Sequence, residues 1–220
     1  MRLNLSLTPT RQLIPFDYQQ RLVGAFHKWL GDNEQHDGLS LYSLSWLSNG
    51  RVNKQRTGLR FDHGASWFIS SYNTELLLKV VHGIQTDPEI AFGMSVRSLT
   101  IQALPDFSSE QRFTVASPVF IKRTINGNVE HILYDHPQAN DFLTETLRRK
   151  LRAADLPDDG VQVVFDSSYS KAQSKLLTFN GIQNRASMCP VIVSGTSEQV
   201  AFAWCVGVGN STGIGFGALR

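Results

Sequence analysis

Leu3, Leu5 and Leu7 alternate with polar residues at period two, which predicts a half-buried first strand closed by Pro9. Over residues 16–30 the period changes: Tyr18, Leu22, Ala25, Phe26 and Trp29 fall at helical spacing, and Gly31-Asp32-Asn33 supplies the stop. Alternation returns at 39–47, with Tyr42, Leu44 and Trp46 on one side and Ser43 and Ser45 on the other, and a further strand is expected near 66–72. Asn73 or Thr74 then caps a helix carrying Leu76, Leu77, Val80, Val81 and Ile84, followed by a strand over 92–103. Strand, helix, strand, strand, helix, strand is the order of the ferredoxin-like split unit, in which two helices cover one face of an antiparallel sheet and the other face is left for a partner.

The remainder repeats that order. Strands are predicted at 113–122 and 129–134, joined by the hairpin signal Asn126-Gly127. Pro137 opens a helix striped with Phe142, Leu143, Leu147 and Leu151, while Arg148, Arg149, Lys150 and Arg152 crowd its end, where the helix dipole favours cations. Strands follow near 161–165, 176–180 and 188–193, and Thr196 with Gln199 makes a capping-box pattern before a short helix containing Val200, Ala201 and Trp204. The fold class is α+β: two tandem ferredoxin-like (RRM-like) domains with a C-terminal glycine-rich loop. Pro105, Asp106 and two serines interrupt the apolar pattern at 104–112, so the expected division is a domain over 1–108 and another over 109–220.

A chain of 220 residues is long enough for this arrangement, and its net charge of +2 is too small to imply a polyanionic partner, so any such site must come from local clustering. Cys189 and Cys205 have no C-x-x-C spacing and no histidines placed to complete a tetrahedral set, which argues for a reduced cytoplasmic protein with no metal and no cofactor. The opening residues do not form a basic-then-apolar leader and no apolar run approaches membrane length, so neither secretion nor a membrane partner is expected.

The densest chemical signal is GVGNSTGIGFG at 207–217, two G-x-G pairs separated by five residues. Glycine permits positive φ and close approach of another chain, and successive amides in such turns form a concavity suited to phosphate oxygens. The plainer reading is a helix cap running into a bulged last strand. A Walker loop is excluded because no lysine follows Lys175, and a dinucleotide fingerprint because Thr212 stands where its third glycine is needed and no helix follows.

A G-x-G-x5-G-x-G loop closing a tandem ferredoxin-like chain resembles the signature of the RAMP superfamily, specifically the CRISPR repeat-processing endoribonucleases called Cas six. Val208 and Phe216 fill the hydrophobic slots of that motif. The resemblance implies binding of CRISPR repeat RNA and one metal-independent cut per repeat, leaving a 5′ hydroxyl and a 2′,3′-cyclic phosphate. It also implies a catalytic histidine between the first helix and the second strand, a place that only His36, among six histidines, occupies. Such cleavage requires deprotonating the 2′-hydroxyl, protonating the leaving oxygen and neutralising the phosphorane. Lys28 is the candidate cation and Tyr42 the candidate group for positioning or protonating an oxygen, against the plain readings of a solvated helix lysine and a core tyrosine. Some members carry a lysine shortly after the histidine. Here the next is Lys54, which leaves the acid unassigned, and His27 has the weaker claim.

RNA contacts are expected from the loop residues Gly207, Gly209, Asn210, Ser211, Gly213, Gly215 and Gly217, from the basic run Arg51, Lys54 and Arg56 with Arg60, and from Lys171 and Lys175 with Arg185 around the later hairpin. The helix-end cations at 148–152 rank below these. Other subunits of a CRISPR-associated complex are further expected partners, and the chain would act as a monomer or homodimer. Two other classes compete: a non-cutting RAMP subunit that binds RNA within an interference complex, and a tandem ferredoxin-like module for a small ligand or protein, which would show no salt-dependent RNA binding.

Overall fold

A computed structural model describes residues 1–31 and 39–220. The first half comprises β1 (Arg2–Leu7), β2 (Thr10–Ile14), α1 (Gln19–Leu30), β3 (Tyr42–Leu44), β4 (Arg51–Val52), β5 (Leu59–Phe61), β6 (Ala65–Ser71), α2 (Thr74–Thr86), β7 (Glu89–Ala91) and β8 (Met94–Gln102). A five-stranded antiparallel sheet runs in the order β3-β6-β1-β8-β7, with Leu5 of β1 opposite Trp67 and Leu99. The period-two leucines Leu3, Leu5 and Leu7 point into one core with Leu22, Phe26 and Trp29 of α1 and Leu76, Leu77 and Val80 of α2. Each such side chain, fully buried, contributes about 1.5–3 kcal/mol. Asn73 fixes the start of α2 by accepting from the amides of Glu75 and Leu76.

The second half comprises β9 (Glu110–Phe113), β10 (Lys122–Ile125), β11 (Asn128–His131), α3 (Ala139–Ala153), β12 (Gln162–Phe165), β13 (Gln173–Phe179), β14 (Ile182–Met188), β15 (Val191–Ser194) and α4 (Ser197–Val206). Its sheet runs β12-β15-β9 and is extended by the chain end, where Val115 bridges Leu219 and Thr114 exchanges amide bonds with Arg220 at 3.0 and 2.8 Å. With that last segment included, both halves have the ferredoxin-like strand order, the first and third strands lying centrally. Thr196 and Gln199 form the expected capping box on α4.

The open face of the first sheet is partly covered from within. Ser43 Oγ donates to Cys205 O at 3.1 Å and Ser70 Oγ to Trp204 O at 3.4 Å. Arg2, 4% exposed, lies between the rings of Phe68 and Trp204 at 3.9 and 3.7 Å and donates to Trp204 O and Leu219 O at 3.2 and 2.8 Å. Burial lowers its pKa to about 9.

Several boundaries differ from the sequence reading, each for a local reason. Pro9 ends β1, but the chain re-enters a ladder at once as β2, which pairs with β5 in a small sheet completed by β4, and α1 starts at Gln19 rather than at residue 16. The strand expected at 113–122 divides into β9 and β10, because Pro118 lacks an amide hydrogen and the intervening chain bridges outward, Val115 to Leu219 and Val119 to Ser187. Pro190 likewise separates β14 from β15, where a single strand was expected at 188–193. The Asn126-Gly127 hairpin forms as read, with both residues at positive φ, and Asn180-Gly181 repeats it between β13 and β14.

Candidate functional site

The 207–217 segment connects α4 to the last extended segment, so the helix-cap reading and the loop reading describe the same backbone. Gly207 ends α4 at φ 70°, its amide donating to Ala203 O at 2.8 Å. The loop folds back so that Val208 N donates to Gly217 O at 2.9 Å, Gly217 N to Pro118 O at 2.8 Å and Asn210 N to Phe120 O at 2.7 Å. A Cβ on Gly209 would lie 2.5 Å from Phe120 O, and one on Gly217 would overlap Val208 O. These glycines are therefore demanded by backbone packed against backbone, and all five glycines of the segment are buried.

At the tip of the loop Thr212 and Gly213 are buried. Ser211 is exposed, Asn210 and Ile214 are half-buried, and a single 3-10 turn (Thr212–Ile214) begins after Ser211 at φ 60°. Among the described residues, the amides of Ser211, Thr212 and Gly213 donate to no carbonyl or side chain. Three successive unengaged amides form the kind of concavity that accepts phosphate oxygens. They border a cavity of about 260 Å³ whose other walls are Leu39, Ser40, Lys150, Gly209, Asn210 and Ile214.

Tyr42, on β3, lies beside Gly213, one of the residues that line this cavity. It is 3% exposed with its ring 4.8 Å from that of Phe26, so it is a core residue, yet its hydroxyl packs beside Gly213 and bonds to Ser40. Burial raises its pKa above the ordinary phenol value, partly offset by Ser40, so the group is a hydrogen donor rather than a phenolate. Lys28 points elsewhere: its Nζ is 2.8 Å from Asp87 Oδ2 and 2.6 Å from Glu89 O, tying α1 to the α2–β7 connection. His36 lies outside the described residues. Leu39 and Ser40, which follow it closely in sequence, line the cavity.

The basic residues divide into two settings. Arg51, Lys54 and Arg56 lie on β4 and the turn after it, and Lys171 and Lys175 lie before and on β13; all five are exposed. Lys175 and the backbone at Asn49 and Gly50, just before Arg51, share a groove of about 450 Å³ with Phe16 and Trp46. Trp46 Nε1 donates to Gly215 O at 3.0 Å, linking that groove to the glycine loop. A second setting escaped the sequence reading. The β10–β11 hairpin places Lys122 and Arg123 against Asn210, whose Oδ1 accepts from Lys122 N at 2.9 Å and from Arg123 at 3.4 Å. His131, on the same hairpin, has its pKa lowered by burial and by the charges of Lys122 and Arg185, a sign of local positive potential.

Lys150 is the main correction to the sequence reading. It was expected among cations favoured by the dipole at a helix end, but it is 1% exposed, and its ammonium donates to Val206 O, Gly207 O and Thr212 Oγ1 at 3.0, 3.3 and 2.9 Å. Its place was readable from spacing, since 143, 147 and 150 continue one helical face. Arg152, by contrast, pairs with Asp158 at 3.2 Å on the surface. No group of three or more His, Cys, Asp or Glu side chains among the described residues is placed to hold a metal, and no described helix is long and apolar enough to cross a membrane.

Comparison with known proteins adds the wider context. No curated protein matches the chain. Among solved structures, a Cas6-related protein from Pyrococcus furiosus superposes with a TM-score of 0.85 at 20% identity, covering 100% of this chain and 97% of that one. A protein described as CRISPR associated protein Cas6 gives 0.84 at 22% identity over 100% and 98% of the two chains. A RAMP protein described as binding different RNA substrates gives 0.84 at 18% over the same shares. At these identities the likeness establishes the tandem ferredoxin-like fold. The family model "CRISPR associated protein Cas6, C-terminal" matches residues 102–220, the half that contains the glycine loop, and the chain thus belongs to the Cas6 family of CRISPR-associated proteins.

Proposed function

We propose that this chain is a metal-independent endoribonuclease that cuts CRISPR precursor transcripts within the repeat, by 2′-hydroxyl attack, leaving 5′-hydroxyl and 2′,3′-cyclic phosphate ends. The observation that carries this reading is the tip of the glycine loop, three unengaged amides beside a cavity, within the segment matched to the family. In this reading the 1–108 domain supplies catalysis and the 109–220 domain supplies the RNA-binding loop. The amides of Ser211, Thr212 and Gly213 hold non-bridging phosphate oxygens, with Lys122 and Arg185 adding positive field. The Lys171–Lys175 and Arg51–Arg56 sets follow the RNA backbone beyond the loop.

His36 moves the proton as general base or acid. Tyr42, neutral and adjacent to Gly213, orients an oxygen through its hydroxyl or through Ser40. Lys28 would have to leave Asp87 before it could meet a phosphorane. That engagement, with the burial of Tyr42, favours a second reading in which the chain binds repeat RNA as a non-cutting RAMP subunit.

The deciding experiment incubates the purified protein and its His36→Ala variant with cognate repeat RNA in EDTA and identifies product ends by mass. One cut with a cyclic phosphate end, lost in the variant while binding persists, supports the nuclease. Binding without cutting supports the RNA subunit, and neither binding nor cutting rejects both.

A further inference from the structure

Lys150 is the least exposed charged side chain among the described residues. It stands on the apolar stripe of α3 beside Leu147 and Leu151, where an aliphatic residue would satisfy packing without the cost of desolvating a cation. Burial alone drives its pKa down to about 7, and the three acceptors around it act in the opposite direction by favouring the ammonium.

The bond count specifies the group. An ammonium has three hydrogens, and the site offers three acceptors: the carbonyls of Val206 and Gly207, at the end of α4 where helix carbonyls lack intrahelical partners, and the hydroxyl of Thr212. Thr212, 1% exposed, uses its own hydrogen on Tyr42 O at 2.9 Å. One cation therefore fixes both ends of the segment leading to the loop tip, and Thr212 passes that constraint to Tyr42 on β3. Lys150 also borders the cavity itself.

We propose that Lys150 is a positioning residue for RNA binding: by holding Val206, Gly207 and Thr212 it sets the shape of the 211–213 tip, and through Thr212 it holds that tip in register with β3. This rests on the RNA-binding role proposed above.

The test compares wild type with Lys150→Met, Thr212→Val and Thr212→Ser, measuring thermal melting and the affinity for fluorescently labelled cognate repeat RNA across a salt series. Thr212→Val keeps the volume and removes both hydroxyl bonds, whereas Thr212→Ser keeps them. Thr212→Val is expected to bind about tenfold more weakly. Its slope of log affinity against log salt should stay at the wild-type value, because the Thr212 hydroxyl and the tip amides are neutral and their contacts release no counterions. Thr212→Ser should restore the affinity, and Lys150→Met should reproduce or exceed the loss. If Lys150→Met fails to fold, the two threonine variants decide. A Thr212→Val protein with wild-type affinity overturns the inference while leaving RNA binding intact. A wild-type protein without salt-dependent RNA binding overturns the functional reading and the inference together.

Discussion

Alanine at Gly217 and at Gly215 should have sharply different effects, although both positions belong to the same G-x-G pair. Gly217 has φ 61°, a conformation that costs an L-residue about 1–2 kcal/mol. Its Cβ would also overlap the carbonyl oxygen of Val208 and lie 3.0 Å from that residue's carbonyl carbon. Those atoms belong to buried backbone locked by Val208 N to Gly217 O and Gly217 N to Pro118 O, so relief requires moving a hydrogen-bonded loop, at about 1–3 kcal/mol for overpacking and about 1 kcal/mol for each bond weakened. The total is about 4–7 kcal/mol, or a melting decrease of roughly 8–28 °C at this chain length. Gly215 has φ 92°, but its Cβ would meet nothing nearer than Gln19 Cγ at 3.9 Å, so only the conformational cost of about 1–2 kcal/mol applies. Thermal unfolding by calorimetry or circular dichroism measures both. A Gly217→Ala protein within about 1 kcal/mol of wild type, or one no worse than Gly215→Ala, refutes the claim that backbone packing demands these glycines.

Other consequences are equally open to measurement. Arg2→Met leaves the carbonyls of Trp204 and Leu219 short of a donor and removes two ring contacts, so denaturant unfolding should show a loss of about 2–4 kcal/mol; a loss under about 0.5 kcal/mol would mean that this link between the two halves is incidental. Lys28→Ala breaks a largely exposed pair and should cost about 1 kcal/mol or less, with single-turnover RNA cleavage within about threefold of wild type; a hundredfold drop would place Lys28 in the chemistry. Asp166 has its pKa lowered by its bond from Ser168 and then by Arg112, so the unfolded chain binds the proton more tightly. Its contribution is therefore present above the unfolded carboxylate value near pH 4 and is lost as pH falls through the folded value. Asp166→Asn should flatten stability against pH in that acidic window, and an unchanged profile would contradict the assignment.

The periodic leucines of β1, the stripes of α1 and α2, the Asn126-Gly127 turn and the Thr196 capping box were legible because each depends on contacts within a few residues. The glycine loop was legible as a motif, since its spacing is itself the signal. What lies between elements was not. Pro118 and Pro190 announce interruptions, but only the fold decides that the chain on either side of them joins different ladders.

The site followed the same division. Sequence alone determined that a glycine loop closes a tandem ferredoxin-like chain and that basic residues cluster, because composition, period and spacing are properties of the chain itself. Tertiary structure alone decided that Gly207, Gly209 and Gly217 serve backbone packing, that Lys28 is held by Asp87, and that Arg123 and Lys150 meet the loop from hairpin and helix. The physical reason is separation along the chain: Lys150 is 62 residues from Thr212, and Thr212 is 170 from Tyr42. Spacing puts Lys150 on the same helical face as Leu143 and Leu147, but which distant carbonyls meet its ammonium is decided by the fold.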